Sequence, residues 1–167
     1  MDPIQFYGLF TTTCFLLVGL WWTVVVTRSD WHADPLWRGR AGGVLVGLLL
    51  PAIMGLGAQI SPSTSWWRAT FAVTSLVGAA TTLRLLIAER SNAGSPLPGP
   101  AHRNRWLGAA LYGLVFAVSL IPGAGAVTGL SDLQISAFLL GALVLLANTL
   151  AWELMTSPRV TVGSRPA

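Results

Sequence analysis

The chain contains no lysine, so its formal charge of +4 rests on ten arginines alone. Cofactors that attach through a lysine amine, such as retinal and pyridoxal phosphate, are thereby excluded. Cysteine is nearly as scarce. Cys14 stands alone, which excludes an internal disulfide and any four-thiolate zinc or iron–sulfur site built by one chain. Histidine occurs only as His32 and His102. Both fall between apolar runs, so a haem gripped by histidines of two facing helices is not expected. Asp30, His32 and Asp34 have a spacing that grazes a metal, but no second cluster completes a coordination sphere, and they read as a solvated loop. No cofactor and no metal is expected. Charged residues are 10% of the 167, far below the roughly 25% of a soluble domain. Water is not the main solvent of such a chain.

What is present is apolar: hydrophobic residues make up 53% of the sequence. Five long apolar stretches run from about Ile4 to Val26, Arg40 to Ile60, Trp66 to Ala88, Trp106 to Ile121 and Leu133 to Met155. Each approaches the roughly 20 residues needed to cross a bilayer as a helix. They predict an all-α, polytopic membrane protein, a bundle of five transmembrane helices forming a single domain over residues 1–167, with no soluble catalytic domain. A Pro- and Gly-rich cytoplasmic loop over 91–104 is expected to be mobile, and the tail over 157–167 flexible.

The arginines orient the bundle. Arg28, Arg38, Arg40, Arg84, Arg90, Arg103, Arg105, Arg159 and Arg165 fall on one side of the alternating loops, and only Arg68 falls on the other. The positive-inside rule then places the amino terminus outside and the carboxyl terminus in the cytoplasm. High arginine, glycine and alanine usage without lysine points to a GC-rich bacterial genome, hence a multi-pass protein of the bacterial cytoplasmic membrane. The first apolar run has no basic residue before it and no small-residue cleavage site after it, so it reads as a retained helix. Asp2, Pro3 and Gln5 suit the start of that helix, Asp34 and Pro35 the start of the second, and Ser131 with Gln134 forms a capping box ahead of the fifth. Eight tryptophans cluster near span ends. They read as an aromatic belt at the headgroup layers, with an aromatic-lined ligand pocket as the alternative.

Small residues recur at a spacing of four. Gly39, Gly43, Gly47, Pro51 and Gly55 mark the second helix, with Gln59 continuing the series; Thr70, Thr74, Gly78 and Thr82 mark the third. Such stripes let helix backbones approach closely in lipid, and they predict a tight crossing of helices two and three. Pro51 removes one backbone hydrogen bond in mid-span and should bend its helix. In the middle of the spans no charge occurs, and the deeper polarity is limited to neutral groups: Thr11, Thr12, Thr13, Ser75, Ser119 and Asn148. Asn148 is expected to bond across helices, and the threonines to bond their own backbone. Arg84 and Glu153 lie at similar depths near the cytoplasmic ends, which permits an ion pair between helices three and five. Arg38, Arg40, Arg103 and Arg105 suit contacts with anionic lipid headgroups. The segment after Pro122 is apolar enough to dip back into the membrane.

No nucleophile and general base fall within reach of each other: His32, His102, Asp30 and Glu89 are scattered over loops. An enzyme is therefore not expected, and neither is a nucleic-acid partner. The lack of buried midplane charge argues against a proton-coupled transporter. The sequence favours a small non-catalytic membrane protein, a packing or accessory subunit that associates with another membrane protein or with copies of itself. The alternative is a homo-oligomeric channel or passive pore, motivated by Thr11 to Thr13, Pro51 and the glycines after Pro122. A lesser alternative is a binder of an apolar ligand or lipid in an aromatic pocket.

Overall fold

A computed structural model describes residues 3–28, 31, 35–60, 65–91, 106–125 and 129–157. These form five helices: α1 (Pro3–Thr27), α2 (Pro35–Ile60), α3 (Trp66–Ser91), α4 (Trp106–Leu120) and α5 (Asp132–Thr156). No strand occurs among the described residues. Four helices are long and apolar enough to cross a membrane, which marks the chain as a helix-bundle membrane protein. The fourth in order, α4, has 15 residues, or about 22 Å at 1.5 Å per residue.

Local chemistry sets several boundaries. Helix α2 starts on Pro35, whose fixed φ and missing N–H suit a first turn. Helix α5 starts on a full capping box: the Gln134 backbone N–H donates to Ser131 Oγ, and the Ser131 N–H donates to Gln134 Oε1. Helix α4 stops at Leu120, directly ahead of Ile121 and Pro122, because a proline disfavours the helical conformation in the residue before it. Gly123 then turns the chain at φ +79°, a left-handed value at which a side chain would be strained.

Successive helices pack antiparallel, as their contacts step in opposite directions. Tyr7 and Thr11 of α1 meet Gln59 of α2, while Trp21 meets Ala41. Gly57 of α2 faces Thr70 of α3, and Gly43 faces Leu85. Gly78 of α3 faces Tyr112 of α4, and Gly108 faces Thr82. Helix α2 is the centre of the bundle and touches α1, α3 and α5. More than half of its most apolar stretch, 56%, is covered by the rest of the chain, against 17% for α1. Two buried clusters fill the bundle. One holds Tyr7, Met54, Trp67, Phe71 and Leu140, and the other Trp21, Trp31, Val44, Leu48 and Ala147. The two ends of the bundle are called below the Tyr7 end and the Trp31 end.

The glycine stripe of α2 does not serve α3 alone. Gly39 and Gly43 lie against Leu85 of α3, Gly47 against Ala147 of α5, and Gly55 against Thr11 of α1. The reason is helical geometry: residues four apart advance by about 40°, so a stripe from Gly39 to Gly55 winds roughly 160° around the helix. It therefore supplies thin backbone to three neighbours in turn. The stripe on α3 winds in the same way, from Thr70 against α2 to Gly78 and Thr82 against α4.

The tryptophans divide into two sets. Trp22, Trp66, Trp106 and Trp152 are 59% exposed or more, as a membrane-interface belt requires. Trp21, Trp31 and Trp67 are buried and belong to the packing. Trp31 stacks at 6.5 Å on Trp37 and lies 5.8 Å from Trp21, whose indole N–H donates to the Ala41 carbonyl at 3.0 Å.

Candidate functional site

In a bundle surrounded by lipid, polar groups held inside are the places to look for function, because each costs free energy to bury. Three such places are formed by the described residues. The first joins α1 to α2 near the Tyr7 end. Gln59 Nε2 donates to Thr11 Oγ1 at 3.0 Å, to the Tyr7 carbonyl at 3.3 Å and to the Gly55 carbonyl at 3.1 Å. The Tyr7 hydroxyl then donates to the Leu133 carbonyl of α5 at 2.7 Å. Gly55 permits this approach, since a Cβ there would overlap Thr11 Oγ1.

The second place lies at the same end. Arg68 of α3 forms an ion pair with Asp132 in the first turn of α5. The same carboxylate accepts the Gly123 N–H at 3.0 Å and the Gly125 N–H at 2.8 Å. Gly125 is buried so closely that a Cβ would strike the Leu130 carbonyl. One carboxylate thus ties together α3, α5 and the turn that follows α4. The guanidinium of Arg68 also lies 5.0 Å from the Trp67 ring.

The third place is a pocket of about 60 Å³ between α2, α3, α4 and α5, toward the Trp31 end. Its walls are Gly43, Gly47, Thr82, Gly108 and Ala147, with Leu side chains between them. Besides Thr82, whose hydroxyl donates to the Gly78 carbonyl, the polar side chains lining it are Arg40 and Tyr112, each 3% exposed. Arg40 holds its guanidinium 5.4 Å from the Trp37 ring. The Tyr112 hydroxyl is buried and has no hydrogen-bond partner among the described residues. The pocket exists because glycines occupy the crossing: the Tyr112 ring lies directly on Gly78, where a Cβ would overlap it.

Comparison with known proteins finds no matching family model, no similar curated protein and no similar solved structure. The chemistry of the three places themselves therefore defines the site.

Of the residues singled out in the sequence, Thr11 is buried and bonded by Gln59. Thr12 and Thr13 are exposed and donate to the Gly8 and Leu9 carbonyls one turn back. Thr74 and Ser75 are buried and also donate to their own helix, to the Thr70 and Ala72 carbonyls. Ser119 does the same with Phe116. Asn148 Nδ2 donates to Val144 of its own helix at 2.9 Å and forms no bond to another helix among the described residues. Arg84 is exposed, Glu153 is partly buried, and the two do not form an ion pair with each other. The pair that does join α3 to α5 is Arg68 with Asp132, at the opposite end. Arg38 is exposed, whereas Arg40 faces the bundle interior, away from a lipid surface. Arg103, Arg105, Asp30, His32, Asp34 and His102 lie outside the described residues, as do Asp2, most of the 91–104 loop and the tail beyond Ser157.

A shallow groove of about 150 Å³ runs beside Arg38 on the outer face of the Trp31 end, walled by Trp22, Val25, Trp31 and Leu45. Trp31 is 1% exposed, its indole N–H has no partner among the described residues, and the Arg28 guanidinium lies 4.7 Å from its ring.

Proposed function

We propose that the chain is a five-span, non-catalytic subunit of a membrane assembly, with its amino terminus outside and its carboxyl terminus in the cytoplasm of a bacterial cell. Orientation rests on the arginines: among the described residues Arg28, Arg38, Arg40, Arg84 and Arg90 belong to the Trp31 end, and Arg68 alone to the Tyr7 end. The fifth span is α4. Its 15 residues fall short of a hydrocarbon core of about 30 Å, and the turn tied to Asp132 completes the crossing at the Tyr7 end.

The observation that carries the subunit reading is this short helix with an open face. A helix shorter than the bilayer is accommodated by thinning the lipid or by associating with protein. On α4 Gly113 is exposed between the half-buried Ala109 and Ala117 one turn to either side, and nothing approaches within 4 Å of the position a Cβ would take on Gly113. Small residues at that spacing admit a partner helix at close range, and contact with protein removes the mismatch. Anionic phospholipid is the second partner. The groove beside Arg38 offers an apolar bed for an acyl chain, with Arg38 at its edge for a phosphate worth about 1 kcal/mol.

The test is native mass in a mild detergent with lipid and partners retained, for the wild type and for Gly113→Trp. The expected result is a wild-type particle containing a second polypeptide at fixed ratio, and a Gly113→Trp particle reduced to the single chain with unchanged thermal stability. A wild-type monomer overturns the reading. A symmetric ring of identical copies replaces it with the pore.

A further inference from the structure

At the Tyr7 end, where α1 and α5 both begin, the two helices stand apart around a crevice of about 360 Å³. Tyr7 of α1, 1% exposed, bridges the gap, its hydroxyl donating to the Leu133 carbonyl of α5 at 2.7 Å. The helices are thus held a tyrosine's length apart, and Ala137, with a single methyl group on the α5 wall, leaves the space beside that bridge unfilled. Phe6 of α1 and Phe138 of α5 belong to the same apolar lining. Phe138 is 72% exposed, so the crevice opens on the outer surface of the bundle, toward lipid. Its volume falls within the roughly 300–1,000 Å³ of small-ligand pockets, and left empty its walls forgo dispersion contacts.

The polar element of the lining is Gln134, in the first turn of α5. The capping box fixes how its amide points. Gln134 Oε1 accepts the Ser131 N–H at 2.9 Å, so the Nε2 group with its two N–H donors is turned away from that bond, and it has no hydrogen-bond partner among the described residues. Among the described residues no charged side chain lines the crevice. Asp132, next to Leu133 in sequence, gives its carboxylate to Arg68, Gly123 and Gly125. A charged group buried between these walls would lack a partner, so the complementary occupant is uncharged: hydrocarbon, with an oxygen that accepts from Gln134. Gln134 lies about 3 Å and Phe138 about 9 Å along α5 from its first residue, at 1.5 Å per residue. The donor therefore sits at the shallow end, and the apolar walls run deeper into the membrane. A membrane lipid has the same order, an ester carbonyl first and its chain below.

We propose that this crevice binds one ester-linked acyl chain of a membrane phospholipid, its ester carbonyl accepting from Gln134 Nε2 and its chain lying along Ala137 and Phe138. The headgroup stays outside and is not selected. In this the crevice differs from the groove beside Arg38 at the opposite end of the bundle, which selects by charge.

The probe is a phosphocholine lipid with two short ester-linked chains, titrated against its ether-linked counterpart, which lacks the carbonyls. The full chain is held in a maltoside detergent, which carries no ester, and the thermal unfolding midpoint is read. A ligand that binds only the folded chain raises that midpoint by mass action. The wild type is expected to respond to both lipids with saturation, with the ester half-saturating at about fivefold lower concentration, the worth of one neutral hydrogen bond. Gln134→Glu keeps an acceptor for the capping box but removes the donor, and it should make the two lipids equal. Ala137→Trp fills the crevice and should abolish both responses; should that variant fail to fold, Gln134→Glu decides alone. The proposal is overturned by a wild type that does not respond or does not distinguish the lipids, by an ester preference that survives in Gln134→Glu, or by an unchanged response in a folded Ala137→Trp. A wild-type dimer that Ala137→Trp returns to single chains would put a second copy in the crevice and overturn it as well.

Discussion

Arg68, near the start of α3, donates to the Asp132 carboxylate in the first turn of α5, and that carboxylate also accepts the Gly123 and Gly125 N–H groups. Arg68 is 64 residues from Asp132 in sequence, while the two glycines lie 9 and 7 residues before it, and the carboxylate is the point at which the three donors meet. Both side chains are mostly covered, 23% exposed for Arg68 and 11% for Asp132. Asp132→Asn keeps the shape but weakens the pairing and leaves donors short of an acceptor. It is expected to destabilise the protein by about 2 kcal/mol, seen as a lower unfolding midpoint in detergent. An unchanged midpoint would show that the turn after α4 holds without it.

Glycines under contact and glycines in the open should respond oppositely to alanine. Gly78→Ala drives a Cβ into the Tyr112 ring and should cost about 1–3 kcal/mol. Gly19→Ala, in α1 with nothing within 4 Å, should be neutral or stabilise by up to about 1 kcal/mol through helix propensity. Equal effects of the two substitutions on thermal stability would contradict the packing described for α3 and α4.

Gly47→Leu tests which helix the centre of the α2 stripe meets. A Cβ at Gly47 lies 3.1 Å from Ala147 Cβ, so the larger side chain must push α5 away from α2. A cysteine pair at the α2 and α5 positions flanking this crossing should cross-link less readily in the variant, while a pair across α1 and α2 should be unaffected. Loss of the α1–α2 cross-link with retention of the α2–α5 one would refute the assignment.

The Gln59 amide joins α2 to α1 through Thr11 and the Tyr7 carbonyl. Hydrogen bonds between membrane helices contribute about 0.6 kcal/mol on average, so Gln59→Leu should cost about 1 kcal/mol for the two. If Gln59→Leu and the wild type unfold at the same temperature, the clamp contributes nothing.

The helices are legible in the sequence because apolar runs of this length form membrane spans and little else, and because Pro35, Ser131 with Gln134, and Pro122 act locally. Their partners are not legible. A stripe at spacing four looks like one face when written in a line, yet it winds around α2 and meets three helices. Asn148 suggests a cross-helix bond because its amide is costly in hydrocarbon, but the Val144 carbonyl one turn back satisfies its N–H. The Arg68–Asp132 pair leaves a trace in the sequence that is easily passed over: Arg68 is the one arginine that falls on its side of the alternating loops, and Asp132 follows directly on the capping serine. Gln59 looks like the end of a glycine series, which hides the reach of its side chain. Arg40 pairs with Arg38 in the sequence as a headgroup contact; two positions along a helix they differ by about 200° in direction, so only one of them can face lipid. The Tyr112 hydroxyl, which has no hydrogen-bond partner among the described residues, carries no sequence signal at all, since its place depends on Gly78 and Gly108 across a helix crossing.

Whether α4 crosses the membrane decides if the chain has an odd number of spans, and both the orientation and the subunit role depend on it. Cys14, the one native thiol, is buried, and its replacement by serine leaves a background for single cysteines placed at each terminus. Labelling intact cells with a membrane-impermeant maleimide should modify the amino-terminal cysteine at once and the carboxyl-terminal one only after permeabilisation. Both termini labelled from the same side would mean an even number of spans, with α4 lying outside the bilayer, and would contradict the orientation and the subunit reading together.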